Sequence, residues 1–305
     1  GDDSFNTFEE ILQLAQDKDV DFILLGGDLF HDSKPSPLCL HKCITLLRKY
    51  CMGDKPICVE FLSNQYENFK HCVNPIVNYE DPNLNISIPV YSIHGNHDDP
   101  AGFGRLSSLD LLSASGLVNY FGKWTDLSKI EINPLLMRKG RSKLAIYGLS
   151  YIKDERLSRL FRDVTAVRPA DDPDSWMSIF VLHQNRADRG PNNFISEKMI
   201  PDFIDLVMWG HEHECRIEPE WNDERGFFVT QPGSPVATSL CEGEAVPKHV
   251  ALLSVMDKKF KVSPIKLETV RPFAFDTLVL SKSSLRDQDN CHQKDRVCCS
   301  CSEVF

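Results

Sequence analysis

Four short segments carry the residues that could do chemistry: Gly26-Gly27-Asp28, Gly95-Asn96-His97-Asp98, His183-Gln184-Asn185 and Gly210-His211-Glu212-His213. Each follows a largely apolar run: Val20–Leu25, Ile88–Ile93, Ser178–Leu182 and Ile204–Trp209. Such runs read as buried strands, and open α/β sheets bind their ligands at the carboxyl ends of strands. If these strands are neighbours, Asp28, Asn96, His183, His211 and His213 converge as a mixed oxygen and nitrogen site. That donor set suits manganese, iron or zinc better than calcium or magnesium, which prefer oxygen alone. Five donors are too many for one tetrahedral ion. They point to two ions, about 3.5–4 Å apart, clamping both oxygens of an in-line displacement. Asp28 can bridge them, because one carboxylate offers two oxygens. Asp98 reads as the group that orients His97, and the glycines as giving room for a bulky anionic substrate.

The elements that must position these ends follow from periodicity. Ser4 to Lys18 has a helical apolar face at Phe5, Phe8, Ile11, Leu12 and Ala15. Ser36-Pro37 starts a second helix with Leu40, Ile44, Leu47 and Tyr50 in register. Leu106, Leu109, Leu112 and Ala114 mark a third, stopped by Gly116. Lys143–Leu149 is a further strand, and Gly226–Gln231, His249–Met256 and Phe260–Leu267 form a β-rich stretch. Cys51 to Leu84 is polar and long for a connection, hence functional, inserted or mobile.

The chain has 305 residues, 42% hydrophobic and 26% charged, the balance of an ordinary globular protein. No apolar run is long enough to span a bilayer. The net charge of −10 counts against a nucleic-acid partner unless metal ions supply the positive charge. The 11 cysteines, odd in number and irregularly spaced, fit a reducing compartment.

Jointly the segments are specific. Gly-Asp, Gly-Asn-His-Asp, a strand-end His and Gly-His-x-His, in that order, resemble the calcineurin-like metallophosphoesterases. Asp21–His31, Leu46–Asp54, Asn83–Val90 and Trp209–Cys215 narrow this. They resemble the SbcD-type nuclease subunits of the eukaryotic double-strand-break repair complex MRN, with likeness from about Phe5 to Leu280. A protein phosphatase of the same superfamily would carry Asp-Arg-Gly after Gly-Asp, where this chain has Leu29-Phe30-His31-Asp32.

The resemblance implies a four-layer α/β/β/α sandwich over residues 1–272 and the start of a DNA-capping domain at 273–280; residues 281–305, polar and without periodicity, resemble nothing in the family and read as a divergent, disordered Cys-containing tail. It implies a manganese-dependent DNA nuclease, 3′–5′ exonuclease and single-strand endonuclease, working in the nucleus in break repair, meiotic recombination and telomere maintenance. Asp28 would bridge the metals. Asn96, His183 and His211 would hold one manganese and His213 the other. His97 would protonate the leaving oxygen, and His31 would support the exonuclease step. Implied partners are DNA, a second copy, a Rad-type ABC ATPase and a nibrin-type adaptor, with no membrane. Leu40, Ile44, Leu47, Leu109 and Leu112 would serve the helical dimer contact, and the insertion Cys51–Leu84, with Asn85 just after it, the adaptor. The family opens with a strand bearing Asp-x-His, and no such pair precedes Asp28 here. The expectation is therefore a sandwich lacking its first strand, with one metal held well and the other poorly; a catalytically impaired dimerising scaffold is the alternative.

Overall fold

A computed structural model describes residues 2–100, 104–125, 130–161 and 164–276. The chain divides into a large unit, Gly1–Phe273, and a second, Ala274–Phe305. In the second only residues 274–276 are described, so the expected tail at 281–305 and residues 277–280 of the expected capping segment lie outside the described residues.

Alternation on the strands builds the layers. A strand sends successive side chains to opposite faces, so a sheet covered on both sides needs apolar residues at every position. β1 (Ile23–Leu25), β3 (Val90–Ser92) and β4 (Asn119–Tyr120) form a parallel sheet in the order β1-β3-β4. Val90 faces one core with Tyr120, while Tyr91 faces another with Phe121. A larger mixed sheet runs β11 (Arg216–Asn222), β12 (Phe227–Gln231), β10 (Leu206–Gly210), β9 (Met177–His183), β7 (Ser142–Leu149), β6 (Leu135–Lys139) and β2 (Glu60–Phe61). On β9, Ile179 and Val181 face the small sheet, while Phe180 and Leu182 face away.

Three cores therefore separate four layers. The first holds Leu12, Leu47, Leu109 and Leu112, from α1 (Asp3–Asp17), α2 (Pro37–Cys51) and α4 (Ser108–Ala114), against the small sheet. The second, between the sheets, joins Tyr91 and Ile93 to Ile146, Ile179, Val181 and Leu206. The third packs Tyr147, Phe180, Val207 and Trp209 under α5 (Asp154–Leu160) and irregular segments carrying Ile195 and Ile200. This is the α/β/β/α sandwich that the sequence implied.

Local signals set the ends. Ser36 accepts from the Cys39 N–H with Pro37 behind it, and Ser107 and Asp110 form a reciprocal cap on α4. Two expectations change. Strand β1 is half-buried rather than buried on both faces, because it is the edge of its sheet. The 51–84 stretch is packed rather than loose: it carries β2, α3 (Gln65–Asn68) and a 3-10 turn, and buries Phe69 and Val77 between the sheets. The remaining pairs are the hairpin β13 (His249–Met256) with β14 (Lys259–Lys266), and β5 (Glu131–Ile132) with β8 (Thr165–Ala166).

Candidate active site

The carboxyl ends of β1, β3, β9 and β10 meet where the two sheets face each other. Parallel pairing of β9 with β10 puts His183 beside Gly210 and hence next to His211. Parallel pairing of β1 with β3 does the same for the Asp28 and Asn96 loops. The backbone there is unusual: Asp28 and His211 have φ of 55° and 79°, left-handed values that cost a non-glycine residue energy and concentrate at functional sites. The glycines serve a different end from the one expected. A Cβ on Gly95 would run into the Asp28 carboxylate, and one on Gly210 into the Gly26 carbonyl. They let the strand ends approach each other, not a substrate.

Asp28, His183 and His211 offer donor atoms all within 4.8 Å of one another. His183 Nε2 lies 3.1 Å from Asp28 Oδ2, 3.2 Å from Asn96 Oδ1 and 3.3 Å from His211 Nδ1, and His211 Nδ1 lies 2.8 Å from Asn96 Oδ1. The His183 Nδ1–H donates to the Gly26 carbonyl at 2.7 Å, so in the neutral ring Nε2 carries a lone pair. Lone pairs of oxygen and nitrogen crowded this closely repel unless a cation sits among them. The donor set fits one divalent ion of the manganese, iron or zinc kind.

The electrostatics agree. Burial, reinforced by His183, pushes His211 down to about 4, so its ring is neutral and able to ligate near neutral pH. Burial alone would raise Asp28, but the His183 ring beside it and the His97 N–H hold it below the usual carboxylate range. Both shifts favour the protonation states that a metal requires.

His213 stands outside this trio, in a neighbouring cluster. Its Nδ1 faces Thr238 Oγ1 at 2.6 Å and the buried Glu244 carboxylate at 3.2 Å. Glu244 is itself paired with buried Lys248 at 3.3 Å. A carboxylate behind one ring nitrogen is the usual support for a histidine that ligates through the other.

His31 and His97 are together, their rings stacked with centroids 4.7 Å apart and planes 22° off parallel. The His97 N–H donates to Asp28 Oδ1 at 2.8 Å, which ties this pair to the metal-facing carboxylate. Asp98 does not play the part that adjacency suggested. Its carboxylate accepts the backbone N–H groups of Gly95 at 2.6 Å, Leu29 at 3.0 Å and Asp28 at 3.2 Å, clamping the β1 loop to the β3 loop. Burial, then the Asp28 charge, raises it above the ordinary carboxylate range. Glu212 does the same on the larger sheet, accepting from the Arg186 and Ala187 N–H groups at 2.8 and 3.0 Å.

Sequence reasoning missed the second ring of partners. Asn185 Oδ1 accepts from His211 Nε2, and Asp154, on α5, holds Asn185. Asn185, two residues past His183, was within reach of a sequence reading; Asp154 carries no sequence signal linking it to His183. Tyr151 stacks on His211 with centroids 6.4 Å apart, and a cavity of about 290 Å³ opens beside it between Tyr151, Lys153, Asn185 and Arg189.

The dimer-contact residues separate. Leu47, Leu109 and Leu112 are fully buried in the chain's own core and cannot line a surface. Leu40 and Ile44 are half-buried on α2, and the exposed apolar side chains near these helices are Leu38, Leu106 and Leu111. Asn85 is exposed and donates to Asp54 Oδ1 at 2.6 Å.

This sandwich, with carboxylate, amide and imidazoles at its strand ends, is a metallophosphoesterase. The chain belongs to the calcineurin-like phosphoesterase family, whose model matches residues 1–215. It is similar to the double-strand break repair protein MRE11 of Gallus gallus and of Homo sapiens, 56% identical to each over 283 residues, which is 92% of this chain and 40% of each relative. It is also similar to the double-strand break repair protein mus-23 of Neurospora crassa, 52% identical over 298 residues, which is 96% of this chain and 40% of that protein. The chain thus spans about two fifths of the length of these relatives.

Proposed function

We propose that this chain is the catalytic part of a manganese-dependent DNA nuclease, a 3′–5′ exonuclease and single-strand endonuclease acting in double-strand break repair and meiotic recombination. The observation that carries the proposal is the convergence of Asp28, Asn96, His183 and His211 lone pairs beside the stacked His31–His97 pair. The repair role is supported by identity to MRE11 across nearly the whole chain.

Divalent ions bound here would act as Lewis acids on the phosphodiester and make water a competent nucleophile near neutral pH. Asp28, Asn96, His183 and His211 would hold one such ion, and His213, backed by Glu244, would offer its imidazole to a second. His97, held to Asp28 through its backbone, protonates the leaving oxygen, and His31 stacked on it sets its orientation. The phosphate grip comes mainly from the ions: the nearby cations Arg189 and Lys153 are paired with Glu212 and Glu155, and the chain carries a net charge of −10.

The partners proposed with this activity are DNA, a second copy, a Rad-type ABC ATPase and a nibrin-type adaptor reading the Asn85 region, in the nucleus. The copy-to-copy contact would use Leu40 and Ile44 with the exposed Leu106 and Leu111. A dimerising scaffold with impaired catalysis is the second reading. End-labelled duplex and circular single-stranded DNA, incubated with the chain and Mn2+, decide between them. Cleavage abolished by Asp28→Ala supports the nuclease; dimers without cleavage support the scaffold.

A further inference from the structure

Asp154 touches no metal-facing atom, yet its contacts dictate the state of one that matters. Its Oδ1 accepts from Gln184 Nε2 at 2.9 Å and its Oδ2 from Asn185 Nδ2 at 2.8 Å. An ionised carboxylate only accepts, so the Asn185 amide has one allowed orientation: its NH2 toward Asp154 and its oxygen toward His211. That oxygen also only accepts, and it lies 2.9 Å from His211 Nε2, so Nε2 must carry the ring proton. A neutral imidazole has one such proton, which leaves Nδ1 bare. Nδ1 is the atom turned toward Asn96 Oδ1 and His183 Nε2. Among the described residues no carboxylate fixes the Asn96 amide as Asp154 fixes that of Asn185, so without an ion it can turn its NH2 to Nδ1 and leave the Nε2–H form in place.

We propose that Asp154, acting through Asn185, is a positioning residue that selects the His211 tautomer whose Nδ1 lone pair faces the metal cluster. The inference rests on the metal-site reading above. The relay is rigidly held: Gln184 donates to the Ile152 carbonyl at 2.7 Å and accepts its N–H at 2.9 Å, fixing the segment that leads into Asp154. His183 meets the same requirement from the backbone, through Gly26. Among the described residues no backbone carbonyl accepts from the outer nitrogen of His211, which takes the Asn185 oxygen instead.

The test reads the tautomer directly. Long-range 15N–1H correlation spectra of the metal-free chain, labelled at histidine, should show His211 protonated at Nε2. Asp154→Asn replaces the carboxylate with a near-isosteric amide, so Asn185 loses its forced orientation. The spectrum should then show a mixture of tautomers, and Mn2+ affinity should fall about tenfold, the lower end for loss of such outer support. The exchange Asp154→Asn with Asn185→Asp puts the carboxylate against His211 and the amide behind it, and should restore both the Nε2–H form and the affinity. A purely structural Asp154 would lower the melting temperature without moving the tautomer. A wild-type His211 protonated at Nδ1, an unmoved tautomer in Asp154→Asn, or an exchange no better than the single variant would overturn the proposal. If wild-type chain binds no Mn2+, the metal site falls, while the spectra still decide the relay.

Discussion

Replacing Asp98 with Ala would test whether this carboxylate clamps two loops or orients His97. Asp98 is 1% exposed and holds three backbone N–H groups at 2.6, 3.0 and 3.2 Å. Hydrogen bonds to a charged group are worth about 1.5–3 kcal/mol each, and a buried donor left without a partner costs about 1–3 kcal/mol. Three bonds would suggest more than 5 kcal/mol. Two terms reduce this. Burying the carboxylate is itself costly, as its raised pKa records, and water can enter the gap left by the side chain. The expected loss is about 3–4 kcal/mol of folding stability, read from urea denaturation of the metal-free chain by circular dichroism. Because two of the three donors belong to the Asp28 loop and the third is Gly95, Mn2+ affinity should fall with stability. A loss under 1 kcal/mol with metal affinity unchanged, and only cleavage reduced, would refute the clamp and reinstate Asp98 as the partner of the His97 ring.

Four further outcomes follow from the same geometry. His97→Asn keeps the backbone N–H that holds Asp28 but removes the acid, so metal binding should survive while cleavage falls about 10²–10⁴-fold; joint loss of metal would make His97 a ligand. Metal analysis of chain 1–305 should find one tightly held manganese and a second that dialysis removes, since in the proposed reading Asp28 and His213 alone among the described residues would hold the second; two tight ions would contradict this. In the metal-free chain, His211 is lowered from 6.5 to about 4, so the unfolded state takes up its proton first. Stability from this group is complete above pH 6.5 and lost as pH falls toward 4, by about 3 kcal/mol at most and nearer 2 after solvent screening; His211→Gln should flatten that part of the profile, and an unchanged slope would refute it. Leu109→Ala should cost about 2–5 kcal/mol of stability without a specific effect on association, whereas Leu111→Asp should leave stability nearly intact and weaken any dimer seen by ultracentrifugation; the reverse pattern would return Leu109 to the surface.

The residues themselves determined much of this molecule. The runs 88–93, 178–182 and 204–209 are largely apolar, the pattern of a strand covered on both faces, and each is followed by a polar group. Hydrophobic periodicity and strand-end chemistry are local, so they were legible: the central strands, the helix start at Ser36 and the donor residues Asp28, Asn96, His183 and His211 follow from them, while the sandwich came from the family resemblance and the meeting of those donors from strand pairing. Tertiary structure decided what depends on partners far along the chain. Adjacency tied Asp98 to His97, but its carboxylate reaches residues 28 and 29, about seventy positions away. Helical periodicity gives the apolar face of α4 but not whether a core or another molecule covers it; packing buried Leu109 and Leu112 and left Leu106 and Leu111 outside. The placing of Asp154 behind Asn185 and of the Glu244 carboxylate behind His213 has no sequence signature. A hydrogen bond is set by where donor and acceptor end up in space, and only the folded chain brings those atoms within 3 Å.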